Sequence, residues 1–168
     1  METIKLKLHE FYTLDSELNG SVNKQTGEKV TNGLLQEKLS LITKYWLSSL
    51  SKTVVAEKVV IDELKNELVK KFGKDDGQGN ISLPMIIDDV DAEGNPVKEV
   101  NAEGTEVFLK RLNPDYQQFE TEFSEFLQTE KEIEYKPFQL TDFEKVETTE
   151  NYSIFFRLIT VADGVSDK

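Results

Sequence analysis

The sequence predicts an α+β fold: a helical spine and a third helix packed on a small antiparallel sheet, with a projecting β-hairpin arm. Apolar residues recur at steps of three and four over residues 34–72, the longest stretch with helical spacing. Over 81–112 the character changes to short β-type runs divided by glycine-bearing turns. A second helical stripe, this one aromatic, follows Asn113-Pro114-Asp115. The 168 residues are expected to form a single domain, with 74–112 inserted as the arm.

At the start of the chain Ile4, Leu6 and Leu8 alternate with lysines, the period of a half-buried strand. Phe11, Leu14 and Leu18 then fall at helical spacing, so a strand hands over to a short helix ending at Asn19-Gly20. The polar stretch 21–32 reads as a loop or small ribbon around Thr26-Gly27.

In the spine, Leu35, Leu39, Ile42, Trp46 and Leu50 form one apolar register, and Ile61, Leu64, Leu68 and Phe72 a second. Asn32 is available as the cap, and Gly73 offers a left-handed C-terminal residue. Ser48, Ser49, Ser51 and the β-branched Thr53-Val54-Val55 weaken helix propensity between the registers. A break or kink is therefore expected near Ser51, giving two helices or one bent helix. Lys44, Lys52 and Glu57 interrupt any run long enough to span a bilayer.

After the loop Lys74-Asp75-Asp76-Gly77-Gln78-Gly79-Asn80, Ile81, Leu83 and Met85 alternate, and Val97, Val100, Val107 and Leu109 mark two further strands. The turns Asp91-Ala92-Glu93-Gly94 and Asn101-Ala102-Glu103-Gly104 stand ten residues apart and imply an antiparallel meander. Asn113-Pro114-Asp115 starts a helix whose stripe is Tyr116, Phe119, Phe123 and Phe126. Such a stripe is core or subunit interface.

Glu132-Ile133-Glu134-Tyr135 alternates as a strand that Pro137 ends or confines to an edge. Thr141-Asp142-Phe143-Glu144 has capping-box form. The run 152–162 is the most β-like in the chain and is expected to pair with the first strand or with the strand at Ile133.

Chemistry is sparse. No cysteine is present, which removes thiolate catalysis, disulfides and Cys-based metal sites together. The lone histidine, His9, sits at an element junction, where a surface or capping role is the ordinary one. No glycine-rich run is followed by Lys-Ser or Lys-Thr, so nucleotide binding loses its main support. Asp89, Asp91, Glu93 and Gly94 imitate the start of a calcium loop, but Val100 occupies the place of its bidentate glutamate. Carboxylates are plentiful, yet none stands in a nucleophile or metal pattern. The expectation is a protein that is not an enzyme, with no catalytic residue, cofactor or metal.

The formal charge of −12 disfavours direct binding to nucleic acid or anionic membrane and leaves a basic protein partner, or mimicry of nucleic acid toward a nucleic-acid-binding protein, open. Met1-Glu2-Thr3-Ile4-Lys5 shows no signal-cleavage pattern, so synthesis and assembly in a cytosol are expected. The candidate interaction residues are Tyr116, Phe119 and Phe123 on the aromatic stripe and Glu93, Asn95 and Val97 on the arm.

Three stretches together carry a resemblance: Leu6-Lys7-Leu8-His9-Glu10-Phe11, Leu64-Lys65-Asn66-Glu67-Leu68-Val69-Lys70-Lys71-Phe72-Gly73 and the hairpin Glu93-Gly94-Asn95-Pro96-Val97. They are followed by a helix over 119–127 that runs into Glu130-Lys131-Glu132-Ile133-Glu134-Tyr135 and Phe138-Gln139-Leu140-Thr141-Asp142-Phe143. Over 4–143 this order resembles a family of short tailed-bacteriophage proteins of unassigned function. The hairpin region and the run 152–162 depart from that pattern. The resemblance implies a virion head, neck or tail accessory component, or an assembly protein, made in the host bacterial cytoplasm and located in the virion. Its implied partners are other phage structural proteins and further copies of itself, as a homo-oligomer. The alternative is an acidic phage-encoded inhibitor of a host defence nuclease, mimicking nucleic acid with the stretch 115–150, where eleven acidic residues stand against three basic ones.

Overall fold

The computed structural model describes residues 1–147 and 150–160. In chain order its elements are β1 (Glu2–Lys7), α1 (Leu8–Asn19), β2 (Ser21–Val22), β3 (Lys29–Thr31) and α2 (Leu41–Phe72). There follow β4 (Lys74–Asp75), β5 (Ile81–Ser82), β6 (Ile86–Asp88), β7 (Lys98–Val100), β8 (Glu106–Phe108), β9 (Lys110–Leu112) and α3 (Pro114–Leu127). The last are β10 (Glu130–Tyr135), β11 (Phe138–Gln139) and β12 (Ile159–Thr160). The fold is α+β, as the periodicities predict. It divides into two compact units: Met1–Asp62 with Leu127–Lys168, and Glu63–Phe126, which holds the whole of 74–112.

In the first unit β1 pairs antiparallel with β10, setting Ile4 opposite Ile133. Lys7 donates its backbone N–H to the Glu10 carboxylate at 2.7 Å, satisfying one donor at the start of α1. Leu6, Phe11, Leu14 and Leu18 are fully buried, together with Leu47 and Val54 of α2 and Leu158 near the chain's end. Each such side chain contributes about 1.5–3 kcal/mol through removal from water. Gly20 and Gly33 close the β2–β3 ribbon back to back, and a Cβ on Gly33 would lie 2.2 Å from the Gly20 nitrogen.

The spine departs from expectation in four ways. Residues 34–36 form a separate 3₁₀ turn, and α2 begins only at Leu41, with Ser40 as its cap: the Ser40 hydroxyl accepts the Thr43 N–H at 3.1 Å, and Asn32 plays no such part. There is no break at Ser51. Ser51 is buried and donates to the Asn19 side chain at 3.0 Å, and Thr53 donates to the Ser49 carbonyl at 3.4 Å, so these hydroxyls no longer compete with the helix. The buried face is accordingly Thr43, Leu47, Leu50, Ser51, Val54 and Ile61, while Ile42 of the expected register is 73% exposed. Gly73 is not left-handed either; it is required because Ile81 crosses it, with a Cβ there only 2.5 Å from the Ile81 side chain.

The expected strand over 152–162 is corrected as well. Tyr152, Phe155 and Leu158 are the buried residues, at steps of three, because Phe155–Leu158 is a 3₁₀ turn. Only Ile159–Thr160 is extended, and it pairs parallel with β11 instead of with β1 or β10. Residues 161 and 162 lie outside the described residues. The capping box expected at Thr141 sits two residues earlier, where Asp142 accepts the Gln139 N–H at 2.9 Å.

In the second unit a branched ribbon replaces the meander. β6 pairs with β9 as a stem, β7 pairs with β8 as one branch, and a Val90–Pro96 bridge forms the other. They meet at Asp89, Val97 and Leu109, whose amides form a closed cycle. Asp89 donates to Leu109, Leu109 to Val97 and Val97 to Asp89, each at 2.9 Å.

Candidate functional site

All six candidate interaction residues fall in the second unit. Asn113 starts its helix as expected, its side-chain oxygen accepting the Asp115 N–H at 3.1 Å. The buried Asn113 amide also donates to the Pro84 carbonyl at 2.8 Å, tying α3 to the segment before β6.

From that start the aromatic rings follow one another along α3. Tyr116 lies 5.9 Å from Phe119, and Phe119 stacks on Phe123 at 5.7 Å with planes 13° apart. Phe119 is buried and belongs to the core. Tyr116 and Phe123 are half-buried, and the Lys65 ammonium sits 5.6 Å from the centre of the Phe123 ring. Beside them Leu64, Glu67, Leu68, Lys71, Glu122 and Phe126 line a shallow groove. An ion pair of 2.7 Å between Lys71 and Glu122 runs across it.

The arm residues divide in the same manner. Asn95 and Glu93 belong to a turn organised by Asp91, whose Oδ1 accepts the Glu93 N–H at 3.0 Å and the Asn95 N–H at 2.9 Å. Those amide bonds, that of Asn95 foremost, hold the Asp91 carboxyl below its ordinary range. The Glu93 side chain is exposed and free of ion pairs among the described residues. Val97 is half-buried at the branch point, where its backbone carries two of the three cyclic bonds. Of the six, Phe119 alone is buried; Glu93 and Asn95 are exposed and Tyr116, Phe123 and Val97 half-buried, with Asn95 and Val97 also bonded into the turn and the branch point.

The same turn is built three times. Asp76 accepts from Gln78 and Asn80, and Asn101 from Glu103 and Thr105, in the pattern Asp91 uses. Each has a left-handed glycine at its fourth position: Gly79, Gly94 and Gly104. The copy at 76–80 was legible in principle, since Asp76, Gly79 and Asn80 repeat the spacing of Asp91, Gly94 and Asn95.

Sequence reasoning also missed Glu17. Its carboxylate is 6% exposed and accepts the N–H of Phe155 at 2.7 Å, the N–H of Ile154 at 3.1 Å and the Ser153 hydroxyl at 3.3 Å. No local pattern distinguishes it from a solvated helix glutamate. His9 lies exposed in the first turn of α1. Among the described residues no group of three or more His, Cys, Asp or Glu side chains is placed to hold a metal ion. No described helix is long and apolar enough to cross a membrane.

The acidic stretch 115–150 is divided, with 115–126 in the second unit and 127–150 in the first. No protein-family model, curated protein or solved structure matches this chain.

Proposed function

We propose that this chain is a non-enzymatic bacteriophage structural or assembly protein, a head, neck or tail accessory component. It acts through contacts with other phage structural proteins and with copies of itself, and resides in the virion after synthesis in the host cytoplasm. The phage setting rests on the sequence resemblance. The contact role rests on one structural observation.

That observation is how little of the second unit is buried. Of the seventeen buried apolar residues among the described residues, Phe119 alone belongs to 63–126. Yet Met85, Ile86, Val100, Phe108 and Leu112 there are each at least half exposed. Side chains of this size left in water over one small ribbon are what an interaction surface carries before its partner arrives. An isolated two-stranded ribbon is also marginal without such cover.

Mass spectrometry of purified particles, with light scattering of the purified chain, tests the proposal. Presence at a fixed copy number in particles, and concentration-dependent association in solution, are the expected results. A strictly monomeric chain missing from every particle fraction overturns it.

A further inference from the structure

Among the described residues the β6–β9 stem has two strands, and neither of its outer edges pairs with a third. Met85 accepts from Asn113 and Leu109 from Asp89, so the odd-numbered residues of the stem bond inward. The backbone groups of Ile86 and Asp88 on β6, and of Lys110 and Leu112 on β9, consequently point outward. All four side chains are exposed.

The two edges carry opposite charge. Asp88 of β6 and Asp89 directly after it pair across the stem with Lys110 and Arg111 of β9, the Arg111–Asp89 contact being 3.5 Å. Ile86 stands opposite Leu112, and these are 50% and 54% exposed. Charge on an edge strand, that of lysine above all, guards it against pairing with an edge of like charge. This stem instead presents an acidic strand on one side and a basic strand on the other.

We propose that the stem is a copy-to-copy joint, in which β6 of one molecule adds antiparallel to the outer edge of β9 of the next. The inference deepens the proposed function and rests on its reading of the chain as one that associates with its own copies. In this joint the internal register is repeated: Asp88 of one copy faces Lys110 of its neighbour, and Ile86 faces Leu112. The alternatives are less favourable. A two-fold pairing of β9 with itself sets Arg111 beside Arg111, and a pairing of β6 with itself gathers four aspartates on one short ribbon. The joint is thus head-to-tail, leaving a free β6 at one end and a free β9 at the other, and it propagates into a ring or an open filament. Three-residue edges make each joint weak, so association grows with concentration and falls with salt.

Sedimentation velocity of the full chain over rising concentration tests this, with Lys110→Glu and the exchanged pair Asp88→Lys/Lys110→Glu beside wild type and circular dichroism to verify folding. Lys110→Glu is expected to weaken self-association about tenfold. The exchanged pair restores it, because the complementarity is rebuilt both within and between copies. In a mixture, labelled wild-type chains and exchanged chains are expected to associate each with their own kind. Self-association that ignores these substitutions overturns the joint and leaves the proposed function standing. A chain that stays monomeric at every concentration yet occurs in particles also overturns the joint alone; absence from particles as well overturns both.

Discussion

Replacing Glu17 by alanine removes a carboxylate from the interior of the first unit and leaves its three donors facing an apolar gap. The Phe155 N–H is buried, while Ile154 and Ser153 are partly so. A hydrogen bond to a charged acceptor contributes about 1.5–3 kcal/mol, and a buried donor left unpaired costs about 1–3 kcal/mol. With Phe155 paying most of this and the other two donors recovering water, the expected loss is about 3 kcal/mol. At a slope of about 2 kcal/mol per molar, the urea midpoint falls by roughly 1.5 M. The single tryptophan, Trp46, lies in α2 within the same unit, so its fluorescence reports the transition. Glu17→Gln, which keeps an acceptor but turns a donor toward a donor, is expected to lose roughly half as much. Hydrogen exchange supplies the local reading: the Phe155 amide should lose protection well before the β1–β10 amides do. A Glu17→Ala midpoint within about 0.3 M of wild type, or an unchanged Phe155 amide, would refute the claim that this carboxylate pins the 3₁₀ turn to α1.

Gly33→Ala is expected to cost about 3 kcal/mol or more, since φ is +71° and the new methyl would press on backbone atoms of Gly20 and Asn19. Gly104→Ala meets nothing within 4 Å and should cost only about 1 kcal/mol, so equal losses in thermal denaturation would remove the steric explanation. The Tyr12 phenol, which donates to Asp62 at 2.6 Å, is pushed above its ordinary range by burial first and by that carboxylate second. Because the fold favours the neutral phenol, its contribution is whole below about pH 10 and is lost as pH rises further; Tyr135 is raised as well, by burial and then by Glu2, so ultraviolet titration should show two phenols ionising late and Tyr12→Phe should leave one fewer. Asp76 and Asp91 are held low, by the Asn80 side chain and the Asn95 amide respectively, so their turns keep this stabilisation above about pH 4 and lose it as pH falls through the depressed values. Carbon-detected NMR titration showing both at ordinary aspartate values would contradict that.

The elements that sequence spacing foretold are those whose partners are local. The helix over Phe11, Leu14 and Leu18, the start at Asn113-Pro114-Asp115 and the turns at Asp91 and Asn101 are each decided within a few residues, and each formed. Where a distant residue intervenes, local reading fails. Ser51 reads as a helix breaker until Asn19 accepts its hydroxyl, and 152–162 reads as a strand until Glu17 captures two of its amides. The latter error had a visible warning, since Tyr152, Phe155 and Leu158 already stand at helical spacing. The branch point had none, because a cycle of backbone bonds among Asp89, Val97 and Leu109 leaves no mark on side-chain pattern. Among the site candidates, chemistry alone could not separate Phe119, which is core, from its half-buried neighbours Tyr116 and Phe123.

What holds the arm in shape follows from the same contrast. No residue over 86–112 is buried, so hydrophobic burial supplies little of its order. Its order comes from two Asx-organised turns, the three-way amide cycle and exposed ion pairs, of which the last contribute less than about 1 kcal/mol each. A ribbon of this kind opens at a free energy well below that of a buried sheet. In hydrogen exchange of the dilute chain, the β6–β9 and β7–β8 amides should therefore exchange much faster than those of β1–β10, which back onto Leu6 and Ile133. Raising the concentration into the range of self-association should slow the outward amides of Ile86, Asp88, Lys110 and Leu112, which are otherwise left to water, while β7–β8 responds less. Stem amides already as protected as β1–β10 in the dilute monomer would mean that the ribbon is stable alone, and the energetic need for a covering copy would disappear.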